Sequence, residues 1–287
     1  GANPSSSTSN ASNNVSVGIE SLEAVTTGSQ NTAVGYHSLN KCTSGQYNTI
    51  LGYLSGSNIS ATNTSELSTS IGGESNLAIG TLASSNTSLG YNSLKTCTTG
   101  HSNTAIGYKA LESLTETNTT DLNDFHPPGD KASRNVSIGS ESLKDLSNGY
   151  DNVAIGYQSL MTATSGDSNV AVGRHALKML TIGFGNIGVG RGSGNNIEDG
   201  VDNIVIGYGS STNSTSSQNE IVIGSGTFGL GNNSVTLGNS QVTDIYMAED
   251  KQAKVHCGNL VIDPATIPQN PDSTALAALA VGTVYSD

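Results

Sequence analysis

The acidic residues are the first candidates for chemistry in this chain, because two carboxylates held about 5–10 Å apart can hydrolyse a glycosidic bond. The local acidic clusters are Glu112 with Glu116, Asp121 with Asp124, and Glu198 with Asp199 and Asp202. The chain has 23 acidic residues, so solvated loop charges account for clusters of this size. We therefore predict that the chain is not an enzyme and that it uses no cofactor.

Metal binding is the second chemistry to consider. The side chains that could ligate a cation together are Asp121, Asp124, His126 and Asp130. Their spacing matches no calcium-loop signature. The three cysteines lack metal-ligand spacing, and Cys42 and Cys97 occupy positions where other repeats have Leu, Ile or Val. We predict that the chain has no metal site and that these two cysteines are small apolar fillers.

The composition limits the scaffold that could position such groups. The 287 residues include 11 Lys and Arg against 23 Asp and Glu, so the net charge is −12, and they include 35 Gly and no Trp. A nucleic-acid partner is not expected without a basic footprint. Membrane insertion is not expected either, because the apolar run at residues 275–281 is far shorter than the roughly 20 residues of a membrane helix. Few large apolar residues favour a thin, layered architecture.

A pentapeptide of the form Asn-x-x-Val/Ile/Leu-Gly recurs along the chain, mostly at intervals of 17 residues. The glycine at this position of the repeat, here called the anchor glycine, falls at positions 18, 35, 52, 80, 90, 107, 139, 156, 173, 190, 207, 224 and 238. A fixed period indicates units that stack and bury their apolar faces against one another. Helices are not expected to form the units, because each interior glycine would cost a helix about 1 kcal/mol. The sequence predicts an all-β fold, a parallel β-solenoid.

The columns of the repeat predict which side chains face inward. The residue before the anchor glycine is branched and apolar, as in Val34, Ile106 and Ile155, and we predict that it faces a core. Leucine recurs four residues after the anchor glycine and an apolar residue seven after it, so these columns are also predicted to be interior. A second glycine recurs ten residues after the anchor, and we predict a turn there with unusual backbone angles.

Two polar or aromatic columns are candidate ladders. The asparagine column is predicted to hydrogen-bond along the stack and to cap turns, and it includes Asn31, Asn48, Asn103, Asn152, Asn169 and Asn203. Tyrosine directly follows the anchor glycine at Tyr36, Tyr53, Tyr91, Tyr108, Tyr157 and Tyr208. Aromatic rings pack on the apolar faces of sugars, so the tyrosine column is a candidate binding surface. A structural aromatic ladder is the alternative that we favour.

Three regions are predicted. Residues 1–13 are a flexible leader, residues 14–238 are the repeats, and residues 239–287 are a C-terminal β module with a connector. One coil is distorted between positions 59 and 74, and residues 112–134 form an insertion. Solenoids display insertions as loops on one face, often the binding face. The candidate receptor-binding loop therefore contains Asp121, Asp124, Phe125, His126 and Asp130.

The pentapeptide and the Tyr-x-Ser/Ala-Leu that follows it resemble the head repeats of trimeric autotransporter adhesins, the YadA-like heads. They resemble still more closely the repeat arrays of bacteriophage and giant-virus tail-fibre proteins. The resemblance covers about residues 14–238. It implies a left-handed parallel β-roll in which three chains associate about a common axis. The coiled-coil stalk and membrane barrel of the adhesins have no counterpart in this sequence, which favours the viral fibre.

The function expected from this resemblance is attachment of a virus particle to its host cell. The partners would be two further copies of the chain and a glycan or protein receptor on the host surface, and the location would be the virion surface. Linked copies turn weak contacts into tight attachment. The alternatives are a bacterial cell-surface adhesin head that binds host matrix and a glycan-degrading tailspike. Ice binding ranks last, because Val136 and Val153 interrupt the threonine column of Thr32 and Thr49.

Overall fold

The computed structural model describes residues 11–57, 67–76, 84–97, 100–115 and 132–245. Within them, 13 short strands pair in chain order to form one parallel sheet. The strands are β1 (Val15–Val17), β2 (Thr32–Val34), β3 (Thr49–Leu51), β4 (Thr69–Ile71), β5 (Thr87–Leu89), β6 (Thr104–Ile106), β7 (Val136–Ile138), β8 (Val153–Ile155), β9 (Val170–Val172), β10 (Ile187–Val189), β11 (Ile204–Ile206), β12 (Ile221–Ile223) and β13 (Val235–Leu237). The predicted parallel β-solenoid is confirmed.

The chain divides into two compact units, residues 1–241 and residues 242–287. The solenoid belongs to the first unit. Of the second unit, only residues 242–245 are described, and they form no strand. The predicted leader lies mostly outside the described residues, and so does nearly all of the predicted C-terminal module.

Equivalent residues of successive coils lie directly over one another. Val153 pairs with Val170 and Ile155 with Val172, and the same register holds from β1 to β13. The backbone N–H of Val153 donates to the carbonyl of Asn169 at 2.8 Å, and the N–H of Gly156 donates to the carbonyl of Ile138 at 2.8 Å. β-Branched residues favour this extended pairing. Stacking of like on like is therefore the basic geometry of the fold.

The fourth coil is built from residues that the period did not predict. Gly80 was expected to be its anchor glycine, but the strand is β4 and the glycine stacked between Gly52 and Gly90 is Gly72, with φ +139°. Gly80 lies outside the described residues. The coil arrives 20 residues after its predecessor, as the hydrogen bond from Ser68 N to Asn48 Oδ1 shows. The degenerate sequence Thr-Ser-Ile-Gly thus forms a regular strand and glycine bend.

The middle residue of each strand points into the solenoid. Ala33, Ala105 and Ala154 are fully buried, whereas Ile155 is 38% exposed and Ile206 37% exposed. Side chains alternate between the two faces of a strand, so only one of the two sets can face inward. The prediction that the branched residue before the anchor glycine faces a core is wrong for the single chain. It lies on the outer face of the sheet.

The small inward residues leave room for the leucines opposite them. Leu39, Leu111 and Leu160, four residues after the anchor glycine, are fully buried, and so are Leu146 and Leu180, seven residues after it. Both predicted interior columns are confirmed. At Gly188, in the middle of β10, a Cβ atom would lie 2.7 Å from Leu177 Cγ. A small residue in the middle of this strand therefore makes room for the opposing leucine.

The buried leucines adopt a backbone conformation that the sequence did not reveal. Leu39 has φ +51° and Leu160 has φ +48°, and Gly56 and Gly194 occupy the same column with φ +62° and φ +60°. A left-handed conformation costs a non-glycine residue about 1–2 kcal/mol. Burying a leucine side chain contributes about 1.5–3 kcal/mol, which is enough to offset that cost.

The two glycines of each repeat are required for different reasons. Gly156, an anchor glycine, has φ +133°, and a Cβ there would lie 2.6 Å from the carbonyl oxygen of Gly173. Gly166, ten residues further on, is not in the left-handed region. A Cβ on Gly166 would instead lie 2.7 Å from Gly183 O and 3.0 Å from Asn169 Nδ2. The prediction of unusual backbone angles at the second glycine is wrong. Glycine is required there because a Cβ atom would lie too close to the neighbouring coil and to the asparagine side chain.

The asparagine before each strand connects three parts of the stack. Asn152 Oδ1 accepts from the backbone N–H of Asn169 at 3.0 Å and from Asn169 Nδ2 at 3.2 Å. Asn152 Nδ2 donates to Asn135 Oδ1 at 3.0 Å and to the carbonyl of Gly166 at 2.7 Å. The buried column contains Asn31, Asn48, Asn86, Asn103, Asn135, Asn152, Asn169, Asn186 and Asn203. Each amide therefore joins neighbouring coils and holds a turn.

The asparagine column ends at Glu220. This residue is fully buried, and its backbone N–H donates to Asn203 Oδ1 at 3.0 Å. Its carboxylate accepts from the backbone N–H of Asn213 at 3.0 Å and of Gly231 at 2.9 Å. Glu220 is thus held by backbone donors at the point where the side-chain ladder stops.

Replacing the anchor glycine Gly156 with alanine should strongly destabilise the solenoid. The variant Gly156→Ala combines a left-handed residue with a contact against the next coil, and we expect a loss of at least about 3 kcal/mol in the free energy of unfolding. Gly226→Ala is the control, because φ is +58° there and a Cβ meets nothing within 4 Å. We expect about 1 kcal/mol for the control. Urea unfolding measures both, and equal losses would contradict the stacking argument.

Removing one ladder amide should leave several buried groups without partners. Asn152→Ala would leave the amide hydrogens of Asn169 and the carbonyl of Gly166 without hydrogen-bond partners. We expect the free energy of unfolding to fall by about 2–4 kcal/mol. Asn232→Ala is the matched control, because that exposed side chain accepts one bond, from Gln218 N, and water can replace it. We expect less than about 1 kcal/mol there. A small effect at Asn152, measured by urea unfolding, would show that the ladder is dispensable.

Candidate functional site

The outer face of the sheet is an uncharged surface that extends over every described strand. Its two columns are the first and third residues of each strand. The third column is aliphatic throughout, whereas the first is threonine from β2 to β6 and valine or isoleucine from β7 to β13. Leu89 is 45% exposed and Ile223 39% exposed in the single chain. Contiguous apolar surfaces of this kind mark interaction sites.

The tyrosines after the anchor glycines form exposed stacks. The ring centroids of Tyr36 and Tyr53 lie 5.5 Å apart with planes at 11°, and those of Tyr91 and Tyr108 lie 6.1 Å apart with planes at 10°. All are about half exposed, from 43% at Tyr36 to 56% at Tyr53. The remaining exposed members of the column are Tyr157 and Tyr208. The rings are held by their neighbours, and each keeps a surface open to a ligand.

Charged side chains accompany the tyrosines. Lys109 Nζ lies 5.6 Å from the ring centroid of Tyr108. The Glu112 carboxylate raises the pKa of Lys109, so this amine is protonated at neutral pH. On a neighbouring coil, the Tyr91 hydroxyl donates to Glu74 Oε1 at 3.3 Å. The column therefore offers aromatic faces next to both kinds of charge.

The predicted receptor-binding loop is described only at its ends. Thr115 N donates to the carbonyl of Ser147 at 3.0 Å, and Arg134 N donates to the carbonyl of His101 at 3.0 Å. Strands β6 and β7 pair directly although Asn103 and Asn135 are 32 residues apart, so the insertion belongs to one coil. The loop residues that lie outside the described residues are Asp121, Asp124, Phe125, His126 and Asp130.

The described members of the acidic clusters make ordinary surface contacts. Glu112 pairs with Lys109 at 3.4 Å, and Asp199 accepts a hydrogen bond from Ser216. Across the described ranges, no three His, Cys, Asp or Glu side chains are grouped to hold a metal ion. Nor does any described segment form a helix of the length and hydropathy needed to cross a membrane.

Two of the cysteines are buried in the leucine column seven residues after the anchor glycine. Burial raises the pKa of the Cys97 thiol to about 12, against a smaller opposing effect of the Gly100 backbone. Burial also raises the pKa of Cys42, against the opposing effect of the Gly45 N–H. Because the thiolate is the reactive form, both side chains act as core residues.

A serine column was missed at the sequence level. Ser159 Oγ donates to the carbonyl of the anchor glycine Gly156 at 3.0 Å, and Ser193 does the same for Gly190 at 3.0 Å. Both serines are fully buried. The signal was present, because serine often stands directly before the repeated leucine, but its inward direction was not evident. The column satisfies carbonyls that the glycine bend leaves inside the coil.

No family model, curated protein or solved structure compared with this chain matches it. The two surfaces of the chain that bear on function are the outer face of the sheet and the tyrosine column.

Proposed function

We propose that this chain is a structural fibre segment that attaches a virus particle to its host cell by multivalent binding, and that it works as a homotrimer on the virion surface. The observation that carries the proposal is the uncharged outer face of the sheet, which accompanies a column of half-exposed tyrosines. The first surface suits association with identical chains. The second suits a receptor.

The outer face of the sheet supports self-association because it repeats the same two columns on every strand. A second copy offers the same spacing and the same lack of charge, so aliphatic rows can pack against each other without desolvating ions. Covering apolar surface contributes about 25 cal/mol per Å². In a closed trimer, Ile155, Ile206 and their equivalents would be buried between chains. The column that is half exposed in one chain would then face a shared core.

The tyrosine column supports attachment because trimerisation through the sheet would leave it available on each chain. Tyr36 stacks on Tyr53, and Tyr91 on Tyr108, so one trimer would display several aromatic pairs. Such rings bind the apolar faces of sugars weakly, and linkage of many sites raises the effective concentration. A bacterial adhesin head could use the same two surfaces, and a tailspike would add glycan cleavage.

A charge on the outer face of the sheet should prevent trimer formation. We expect wild-type protein to have three times the 29.2 kDa chain mass in light scattering, and Ile155→Glu to have the mass of one chain with an unchanged circular-dichroism spectrum. Met179→Glu is the matched control, because Met179 is 42% exposed outside the sheet and Ile155 is 38% exposed within it. A monomeric wild type, or a monomeric Met179→Glu variant, would contradict the proposed interface.

The attachment proposal predicts binding that needs both the tyrosines and the trimer. On an array of bacterial and algal polysaccharides, we expect retention of the wild type and loss with serine at Tyr36, Tyr53, Tyr91 and Tyr108. Serine occupies the same repeat position at Ser140 and Ser225, so the fold should tolerate it. The monomeric Ile155→Glu variant should bind at least about 100-fold more weakly. Wild type that binds no polysaccharide and no cell surface would overturn the proposal, and release of reducing sugars would favour the tailspike.

A further inference from the structure

A pocket of about 380 Å³ opens on three successive coils, those that follow β9, β10 and β11. Its lining includes His175 from the first coil, Arg191, Asn195 and Asn196 from the second, and Tyr208 from the third. The volume falls within the about 300–1,000 Å³ typical of sites for small molecules. Neither the acidic clusters nor the tyrosine pairs described above account for it.

The pocket exists because one column of the repeat changes from side chains to glycine. Two residues after the anchor glycine, earlier coils carry Gln158 and His175, whereas the next coils carry Gly192, Gly209 and Gly226. At Gly192 and Gly209 a Cβ atom would meet nothing within 4 Å. The backbone does not demand glycine here, since Gln158 and His175 adopt the same left-handed conformation with φ +54° and φ +59°. The glycines leave open space where earlier coils have a side chain.

The pocket is cationic in a chain whose net charge is −12. The Arg191 guanidinium lies 5.5 Å from the ring centroid of Tyr208, a contact that orients it. In the part of the chain that the structure describes, Arg191 forms no ion pair with a carboxylate. Burial lowers the pKa of His175, and the charges of Lys178, Arg174 and Arg191 lower it further. An anion would relieve this concentration of positive charge.

The neutral groups of the pocket suit hydroxyls. Asn195 and Ser211 line the pocket together with Arg191. A side-chain amide or hydroxyl both donates and accepts, so each can pair with a sugar hydroxyl. Asn196 is held by a hydrogen bond from its Nδ2 to the carbonyl of Thr212 at 2.9 Å, and Asn195 is exposed at the rim. The lining therefore combines one oriented cation with several polar groups that a bare inorganic anion would leave unused.

We propose that this pocket binds a carboxylated sugar, with the carboxylate on the Arg191 guanidinium and ring hydroxyls on Asn195 and Ser211. Arginine pairs with carboxylate through two parallel hydrogen bonds, which gives the ligand a fixed orientation. The use of this site in host attachment rests on the proposed function, whereas binding of the sugar itself does not.

The test measures dissociation constants for sodium glucuronate, glucose and sodium sulfate at matched ionic strength, by nuclear magnetic resonance titration of the purified full chain. Glucuronate should bind at least about tenfold more tightly than either of the others, because only it offers both the anion and the hydroxyls. Glucose binding as tightly as glucuronate would overturn the role of Arg191. Sulfate binding as tightly would reduce the pocket to a simple anion site and overturn the sugar.

Two pairs of variants locate the site. Arg191→Gln should weaken glucuronate binding at least about tenfold. Arg134→Gln is its control, because it removes the same charge from an ion pair with Asp151 and should leave glucuronate binding unchanged. Gly209→Gln should fill the pocket with a side chain that the fold accepts at Gln158. Its control, Gly226→Gln, makes the same change one coil outside the pocket and should retain binding.

Thermal unfolding of each variant checks that the solenoid is intact. Equal loss of glucuronate binding in Gly209→Gln and Gly226→Gln would overturn the location of the site, and so would retained binding in Arg191→Gln. Glucuronate binding by a chain that is monomeric and adheres to no surface would refute the attachment function and leave this proposal standing. The two failures are therefore distinguishable.

Discussion

The hydrogen-bonded asparagine column is the interaction on which most coils depend. A thin coil of this kind has few apolar side chains, so each buried N–H or C=O left unpaired would cost about 1–3 kcal/mol against a small hydrophobic gain. One amide resolves several of these costs, because Asn152 serves Asn135, Asn169 and Gly166 together. The second glycine of the repeat, ten residues after the anchor glycine, must lack a Cβ atom so that the asparagine amide can approach the turn. The polar column and the glycine composition are thus two aspects of one requirement.

The narrow interior determines what the outside looks like. Leucine from the turn fills the space above the sheet, and most strands offer it a small residue such as Ala154 or Gly188, although Ile50, Val205 and Val222 are also buried at this position. Most Val and Ile side chains of the strands lie on the opposite face, where a single chain leaves them partly exposed.

Much of this fold could be predicted from the sequence, because the repeat period and the repeated columns of residues are visible in it. The leucine column, the asparagine column and the parallel stacking follow from spacing alone. Which face of the strand points inward could not be predicted from spacing. Thr32, Ala33 and Val34 alternate without indicating the inner face, and the volume of the opposing leucine decides it. The fourth coil was misplaced because Thr69–Ile71 is a weaker match to the pattern than the residues before Gly80.

The pocket and the left-handed leucines could not be predicted, because both depend on backbone angles that the sequence repeat does not reveal. The change from His175 to Gly192 in one column is visible in the sequence, but glycine there could have meant a turn as easily as an opening. The loop around Phe125 is the reverse case, because its departure from the period is evident and its arrangement lies outside the described residues.

The asparagine column also has a direction. Each asparagine oxygen of the column receives its hydrogens from the coil that comes later in the chain, from Asn14 onward with an interruption at Ser68, until Glu220 accepts its own bonds from the backbone. During translation, the coil that leaves the ribosome first already presents the acceptors that its successor requires. The solenoid can therefore lengthen in the same order as its synthesis, with every finished layer serving as the template for the next.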